Sequence, residues 1–241
     1  MSKIEFSRSS FHKFLVLATL QKNAENKELL AKFTDQEVTT LAHSPGKYVS
    51  FKGTLKGKFG DWGDIGIDDL IFLRNFIGST TSDSIFLKKT ENKLISDAND
   101  VKFTAVLRNP KYITNVFPQK VYDDFKKTIE RNEFKLKSES IKKIIANAGT
   151  IKDYQFISLS GSKNKFNITF DNLGNELNLS FDVDKDLEDF SIKVNNLFID
   201  VISLISDYDL TIATTNDARC VSVGLKTNEL EFEYFIGLVK K

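Results

Sequence analysis

The stretch that decides the fold is FHKFLVLA at residues 11–18, because IKKIIANA at residues 141–148 repeats its pattern. Both stretches are apolar at the first, fourth, fifth and eighth positions and carry a lysine at the third. This spacing places the apolar side chains along one side of an α-helix. A second pair, residues 67–73 and 194–200, runs in each case from a short strand through a capping residue into an apolar helix. The sequence therefore predicts a duplicated domain.

Length and composition narrow the class of protein. A chain of 241 residues can hold two domains of about 110 residues each. The net charge of +1 gives no global basic excess, so affinity for nucleic acid has to come from cations gathered on one face. One cysteine and two histidines leave little for a disulfide or a zinc site, and we expect no metal and no other cofactor. The longest apolar run is too short for a membrane span, so we expect a soluble protein of the cytoplasm.

Each half is predicted to follow one order: a strand, a helix, several strands, a second helix and three closing strands. The expected helix caps are Ser7 or Ser9 and Ser138 for the first helices, and Asp68 and Asn195 for the second helices. The stretch GSKN at residues 161–164 has the composition of a hairpin turn. Strands are predicted at 3–6, 28–33, 37–42, 47–55, 84–89, 93–97 and 101–107, and again at 133–137, 155–160, 165–171, 176–182, 209–214, 219–226 and 230–239.

Residues 108–132 form the predicted connector between domains at residues 1–107 and 133–241. The connector holds two of the three prolines and is long for a compact chain, which indicates that it is functional or partly ordered. Val121, Phe125 and Ile129 recur every four residues, which predicts a helical turn or two in its second part. The alternative is that the connector is only a tether between the two domains.

The chain resembles a DNA polymerase sliding clamp, the processivity ring. The resemblance is carried by two copies of a two-helix, six-strand unit, by the long connector, and by the aromatic closing strand LEFEYFIGL at residues 230–238. It covers essentially the whole chain and rests on element order and length, not on a diagnostic motif. The resemblance is to clamps whose chains hold two domains, as in proliferating cell nuclear antigen and the clamps of tailed bacteriophages. The YFIGL ending and the proline-bearing connector look most like the phage branch.

The resemblance implies an α+β fold of two similar domains, each with two helices packed on antiparallel sheets, that assemble into a ring. It implies a protein without enzymatic activity that encircles double-stranded DNA of any sequence. Such a ring tethers the replicative DNA polymerase and other replication proteins, and a clamp loader is an expected partner. For a viral protein the setting would be the host cytoplasm. No membrane partner is expected.

Clamp helices line the central hole, so each needs an apolar face toward its sheet and a polar face toward the phosphates. A turn of about 100° per residue places Lys13 nearly opposite the apolar stripe of its helix, and the same count places Lys143 there in the second half. The second helices are apolar most of the way round, and modest basicity suits a ring that slides. The alternative is that these lysines simply form the solvent-exposed face of each helix and have no role in DNA binding. The residues predicted to face DNA are Lys13, Lys143, Lys142, Lys22, Arg8 and Arg74.

Closed rings of this family contain six such domains, so a chain with two domains is expected to form a homotrimer. The strand at 101–107 of one subunit should then pair with the strand at 176–182 of the next, because an unpaired apolar edge is a liability. The side chains expected at this subunit interface are Val101, Phe103, Ala105, Leu177, Leu179 and Phe181.

Family members also hold short partner peptides in an apolar pocket beside the connector. The alternative is that the same side chains simply pack the connector onto its own domain. By resemblance, the walls of the pocket would be Leu41, Val49, Ile113, Val116, Phe117, Phe235 and Leu238.

A catalytic constellation is not evident. Four aspartates between residues 61 and 69 would suit magnesium, but a helix cap at Asp68 and a glycine-marked turn explain them better. His12, His43 and Cys220 have no evident partner for nucleophilic chemistry. The alternative function is a β-rich viral structural or interaction protein without DNA-encircling activity, in which the repeat serves architecture. The mass in solution separates the two hypotheses.

Overall fold

The computed structural model describes residues 3–20, 25–98, 101–151, 154 and 156–239. The chain divides into two compact units, one of residues 1–117 and 226–232 and the other of residues 118–225 and 233–241. Each unit holds α-helices and antiparallel strands, so the predicted α+β class is confirmed. The predicted connector is divided between the units after residue 117.

In the first unit the strands pair in the order β1-β6-β7-β8-β5-β2-β3-β4, followed by the first residues of β14. Phe11, Phe14 and Leu15 are buried, so the repeated apolar stripe seats α1 on this sheet, and α2 packs beside α1. The elements of this unit are β1 (Lys3–Ser7), α1 (Arg8–Thr19), β2 (Leu29–Phe33), β3 (Glu37–His43), β4 (Val49–Lys56), β5 (Gly63–Ile67), α2 (Leu70–Ser79), β6 (Ser84–Lys89), β7 (Lys93–Ala98) and β8 (Val101–Arg108).

The second unit contains a sheet in which β13 lies between β12 and β14, while β9 pairs with the other side of β12. Ile141, Ile144 and Ala148 are buried, so the second copy of the stripe seats α4 as the first copy seats α1. Its elements are α3 (Gln119–Ile129), β9 (Glu133–Leu136), α4 (Ser138–Ala148), β10 (Phe156–Asn172), β11 (Asn175–Asn195), α5 (Leu197–Leu204), β12 (Leu210–Ala213), β13 (Cys220–Lys226) and β14 (Leu230–Gly237), whose first residues belong to the first unit.

The predicted hairpin turn at residues 161–164 is wrong, because these residues lie inside β10. The ladder between β10 and β11 shifts register between Gly161 and Lys163 and again between Lys163 and Lys165. Lys163 has a φ of 50°. Bulges and turns select the same residue types, so composition does not tell them apart. The turn that joins the two long strands is Leu173-Gly174, with φ of 52° and 87°.

Three predicted helix caps also differ. Asn196, not Asn195, stands at the N-cap position of α5, although Oδ1 of Asn195 accepts from the N–H of Leu197 at 2.9 Å. Asp69, not Asp68, caps α2, and its Oδ1 accepts from the N–H of Phe72 at 2.8 Å. Ser138 is the first residue of α4, and its own N–H donates to Oδ1 of Asp209 at 2.8 Å. A carboxylate accepts a hydrogen bond from an N–H more strongly than a hydroxyl does, which explains the role of Asp209. None of these differences moves the buried stripe of its helix.

Among the described residues, we find no helix that is long and apolar enough to cross a membrane.

Candidate nucleic-acid interface and partner surface

Basic side chains gather where α1 packs beside α2. Burial lowers the pKa of the His12 imidazole, and the charges of Arg8, Arg74 and Lys13 lower it further, so these cations lie close to the ring. His12 itself lies against Gly78 of α2, where an added Cβ would stand 2.7 Å from Nε2. The structure therefore brings together three of the residues predicted to face DNA. Lys22 lies outside the described residues.

The arginines of this cluster have unequal surroundings. Arg74 donates to Oδ1 of Asn75 at 3.1 and 3.2 Å and lies 3.9 Å from Oε1 of Glu25. Nε of Arg8, in contrast, is one of the buried polar atoms for which the described structure offers no hydrogen-bond partner. A buried guanidinium donor without an acceptor is unfavourable.

The equivalent helix of the second unit carries its lysines in a more acidic setting. Lys143 is exposed, and its Nζ lies 6.0 Å from the centre of the Phe181 ring. Lys142 already pairs with Oδ1 of Asp207 at 3.3 Å. The neighbouring helix α5 has Asp200 in its first turn. We therefore expect this unit to attract phosphates less strongly than the first.

The predicted interface side chains are largely enclosed by their own units. Phe103 is 2% exposed and packs on Phe72 and Phe76 of α2, with ring centres 5.3 and 4.6 Å apart. Ala105 is buried too, while the side chain of Val101 lies outside the described part of the chain. On β11, Leu179 and Phe181 are buried and Leu177 is half-buried.

What β8 presents outward is its backbone. Its residues 101–106 pair with β7, whereas its described ladder with β5 covers Leu107 and Arg108. The N–H of Leu107 donates to the carbonyl of Asn92 on the β7 side. Since N–H directions alternate along a strand, the N–H groups of residues 102, 104 and 106 point to the opposite edge. That edge can accept another strand.

Glu28 fastens the first part of the connector to the first unit. Its Oε1 accepts from both N and Oγ1 of Thr114, at 2.8 and 2.7 Å, and its Oε2 accepts from Nη1 of Arg108 at 2.7 Å. Burial raises the pKa of the Glu28 carboxyl, but the bonds from Thr114 and the charge of Arg108 outweigh this and hold it below its ordinary value. The carboxylate is therefore ionised at neutral pH.

The first-unit residues of the predicted peptide pocket follow the same connector. Val116 forms a β-bridge with Ala42, and the N–H of Phe117 donates to the carbonyl of Leu41 at 3.1 Å. The connector thus runs as a short extra strand along β3. Ile113, Phe117 and Val49 are buried, while Leu41 and Val116 are half-buried.

In the second unit, the helix of the connector covers Phe235, one of the two predicted pocket residues there. Phe235 is 2% exposed, with the rings of Tyr122 and Phe125 from α3 centred 5.5 and 5.8 Å from its own. Leu238 is half-buried. The helix confirms the four-residue periodicity read from the connector.

Glu233 is the residue of this surface that sequence reasoning missed. Its Oε2 accepts from the hydroxyl of Tyr122 at 2.9 Å, and its Oε1 accepts from Nζ of Lys126 at 2.7 Å and from Oγ of Ser222 at 3.0 Å. Burial lowers the pKa of Lys126, but the hydrogen bond and charge of Glu233 outweigh this and raise it. The spacing of Tyr122 and Lys126 places both on one face of a helix, but no local pattern in the sequence indicates that Glu233 is their partner.

The acidic segment between β4 and α2 has structural roles. Asp61 Oδ1 accepts from the N–H of Gly63 at 3.1 Å, and Asp68 Oδ1 accepts from Nη1 of Arg108 at 3.1 Å. Within the residues that the structure describes, we find no group of three His, Cys, Asp or Glu placed to hold a metal ion.

Solved structures identify the fold. The chain is similar to proliferating cell nuclear antigen of A. fulgidus, solved with the C-terminal region of FEN-1, at a TM-score of 0.79 and 14% identity, over 100% of this chain and 99% of that one. It is similar to the same antigen of Entamoeba histolytica at a TM-score of 0.75 and 12% identity, over 99% and 98% of the two chains. The DNA polymerase sliding clamp of Caulobacter crescentus matches at 0.74 and 14%, over 100% of this chain and 66% of that one.

No family model and no curated protein matches the sequence. The protein nevertheless has the sliding-clamp fold along its whole length, and the resemblance read from the sequence is confirmed at the level of the fold.

Proposed function

We propose that this protein is a processivity factor: a closed ring of three chains that encircles duplex DNA and tethers the replicative polymerase. The observation that carries this proposal is the basic cluster on the paired helices α1 and α2, in a chain that has the clamp fold throughout. The protein acts as a scaffold and not as an enzyme, without a cofactor. We assign it to the phage type of clamp, which would work in the host cytoplasm with its polymerase and loader.

The charges suit a ring that slides. Arg8, Lys13 and Arg74 offer phosphate contacts that carry no sequence information, and the second unit adds Lys142 and Lys143. Each neutralised phosphate adds to affinity through counterion release, so a handful of contacts gives weak binding that lets the ring move. A closed ring retains DNA by topology, and strong attraction is not needed.

Assembly would use the open edge of β8. We propose that it pairs with β11 of the next chain, with Phe103, Ala105, Leu179 and Phe181 forming apolar layers beneath the joint. The pairing is head to tail, and it closes after three chains if each contributes two of six domains.

Partner peptides from polymerase and loader are proposed to bind beside the connector. In the first unit, the half-buried Leu41 and Val116 are the accessible candidates, supported by Val49, Ile113 and Phe117 below them. In the second unit, Phe235 and Leu238 are the candidates. Such sites concentrate binding energy in a few apolar anchors.

The decisive experiment measures the mass of the protein in solution and its retention on circular and linear DNA. Light scattering should give three times the chain mass. Protein incubated at high concentration with nicked circular duplex should stay with the DNA through gel filtration in high salt, and should be lost when the circle is cut first. A monomeric mass, or equal retention on circular and linear DNA, would contradict the proposal and favour a structural module.

A further inference from the structure

The helix α3 within the connector is held onto its unit by few contacts. Of its residues Gln119 to Ile129, Ile129 is buried and the others are half-buried or exposed. Its first turn has no side-chain cap, because Pro118 stands at the N-cap position. A helix of 11 residues is marginal in water by itself. The stability of α3 therefore depends on what it docks against.

The docking surface for α3 is the part of β14 that begins at Glu233, and α3 contacts it with one face of the helix. Tyr122 and Phe125 place their rings on Phe235, and Lys126 with the Tyr122 hydroxyl satisfies Glu233. The Glu233 side chain is 15% exposed. If α3 moved away, the Glu233 carboxylate and the Phe235 ring would both become exposed to solvent. The surface thus combines an apolar anchor point with a nearly buried negative charge.

This surface contains Phe235, one of the residues that the resemblance assigned to partner binding. The side chains of α3 that contact this surface are two aromatic residues three positions apart, followed directly by a lysine. A partner segment with the same spacing on a helix could make the same contacts.

We propose that α3 is a tethered stand-in for a partner, and that partner proteins bind β14 by displacing α3 with a helix that presents an aromatic pair and a following lysine or arginine. The inference rests on the proposed function, since it names the recognition chemistry of the partner site. Because α3 is attached to the chain, it competes at a high effective concentration, which weakens partner binding until the helix is released.

The test uses α3 itself as the probe. A fluorescent peptide of residues 118–130 is titrated with the full-length protein, and binding is followed by anisotropy. Wild-type protein should bind weakly, because the site is occupied. Lys126→Glu in the protein places two carboxylates together and undocks α3 while leaving β14 intact, so the peptide should bind at least about tenfold more tightly.

Matched controls separate displacement from general loosening. Lys127→Glu makes the same charge change at an exposed position of α3 and should bind like wild type. A peptide carrying Lys126→Glu should bind neither protein. If Lys126→Glu impairs folding, the double variant Tyr122→Ala/Phe125→Ala releases the helix by removing the ring contacts.

Equal affinity of the peptide for wild-type protein and for both released variants, or failure to bind any of them, would overturn the proposal. The assay contains neither DNA nor polymerase. A protein that fails to encircle DNA can therefore still pass this test, and a ring that works can still fail it, so the two proposals are judged separately.

Discussion

His12 reports on the proposed DNA interface through its own titration. In the free protein, burial and the three surrounding cations lower the pKa of its imidazole. A phosphate group brought to those cations offsets their charge, so duplex DNA should raise this pKa. His43, whose pKa is lowered by burial and by Lys47, lies on β3 and serves as an internal control.

We predict that NMR titration with and without a duplex will show an upward shift for His12 and none for His43. Binding then takes up a proton, so the affinity for DNA should increase as the pH falls from the DNA-bound pKa of His12 toward the lower free value. Identical His12 titrations in both samples would remove the α1 and α2 cluster from the interface.

Charge reversal at Lys13 and Lys143 is the second prediction at this scale. The double variant Lys13→Glu/Lys143→Glu should bind duplex more weakly and should lower the slope of log affinity against log salt by about 0.9 for each phosphate contact that the ring loses. Lys32→Glu/Lys135→Glu, at exposed positions of β2 and β9, is the matched control. Equal salt slopes for the two variants would argue against the role of α1 and α4.

Single residues also show where sequence reasoning stops. Lys13 was predicted to lie opposite the apolar stripe, because a helix fixes the angle between neighbouring side chains, and in the structure it is half-buried. The contact of Lys126 with Glu233 joins residues 107 apart, and no local pattern announces it. Periodicity predicts which face of an element is buried, whereas the partner of a charged side chain depends on tertiary folding.

The hairpin of β10 and β11 is the element that the sequence described least well. The sequence predicted β10 as two strands because the stretch at 161–164 has turn composition, while the structure uses that stretch as a bulge. It predicted β11 only at residues 176–182, whereas the strand runs to Asn195. The bulge needs a small residue, since a Cβ at Gly161 would stand 2.2 Å from the Phe190 ring and 2.8 Å from Leu187.

We therefore predict that Gly161→Ala destabilises the protein by roughly 1–3 kcal/mol through overpacking. Gly149→Ala is the control, because a Cβ there meets its nearest atom at an ordinary 3.6 Å. Chemical denaturation measures both. If the two variants unfold at the same midpoint, the hairpin accommodates the extra carbon and the close packing around Gly161 is not what shapes the bulge.

At the scale of the whole molecule, the edge of β8 tests how the chains assemble. Phe103 is a poor site for a test because it packs on α2, so changing it would disturb the unit itself. Thr104 is exposed, and its N–H points away from β7. Thr104→Pro removes this donor and keeps the ladder with β7.

We predict that Thr104→Pro is monomeric by light scattering, with an unchanged circular dichroism spectrum. Thr104→Val has a similar shape and retains the N–H, so it should remain trimeric. A trimeric proline variant would place the subunit contact elsewhere on the chain.

The shared strand β14 also sets an order of events during synthesis. Phe232 belongs to the first unit, where its ring lies 5.5 Å from Phe14 and 6.2 Å from Phe51 and covers Gly53. At about 5–20 residues per second, the ribosome needs roughly 5–20 seconds to reach this strand after completing the first stretch of that unit. Until then the nascent first unit exposes the aromatic side chains that Phe232 later contacts, so this unit completes its folding only after residues 226–232 have been synthesised.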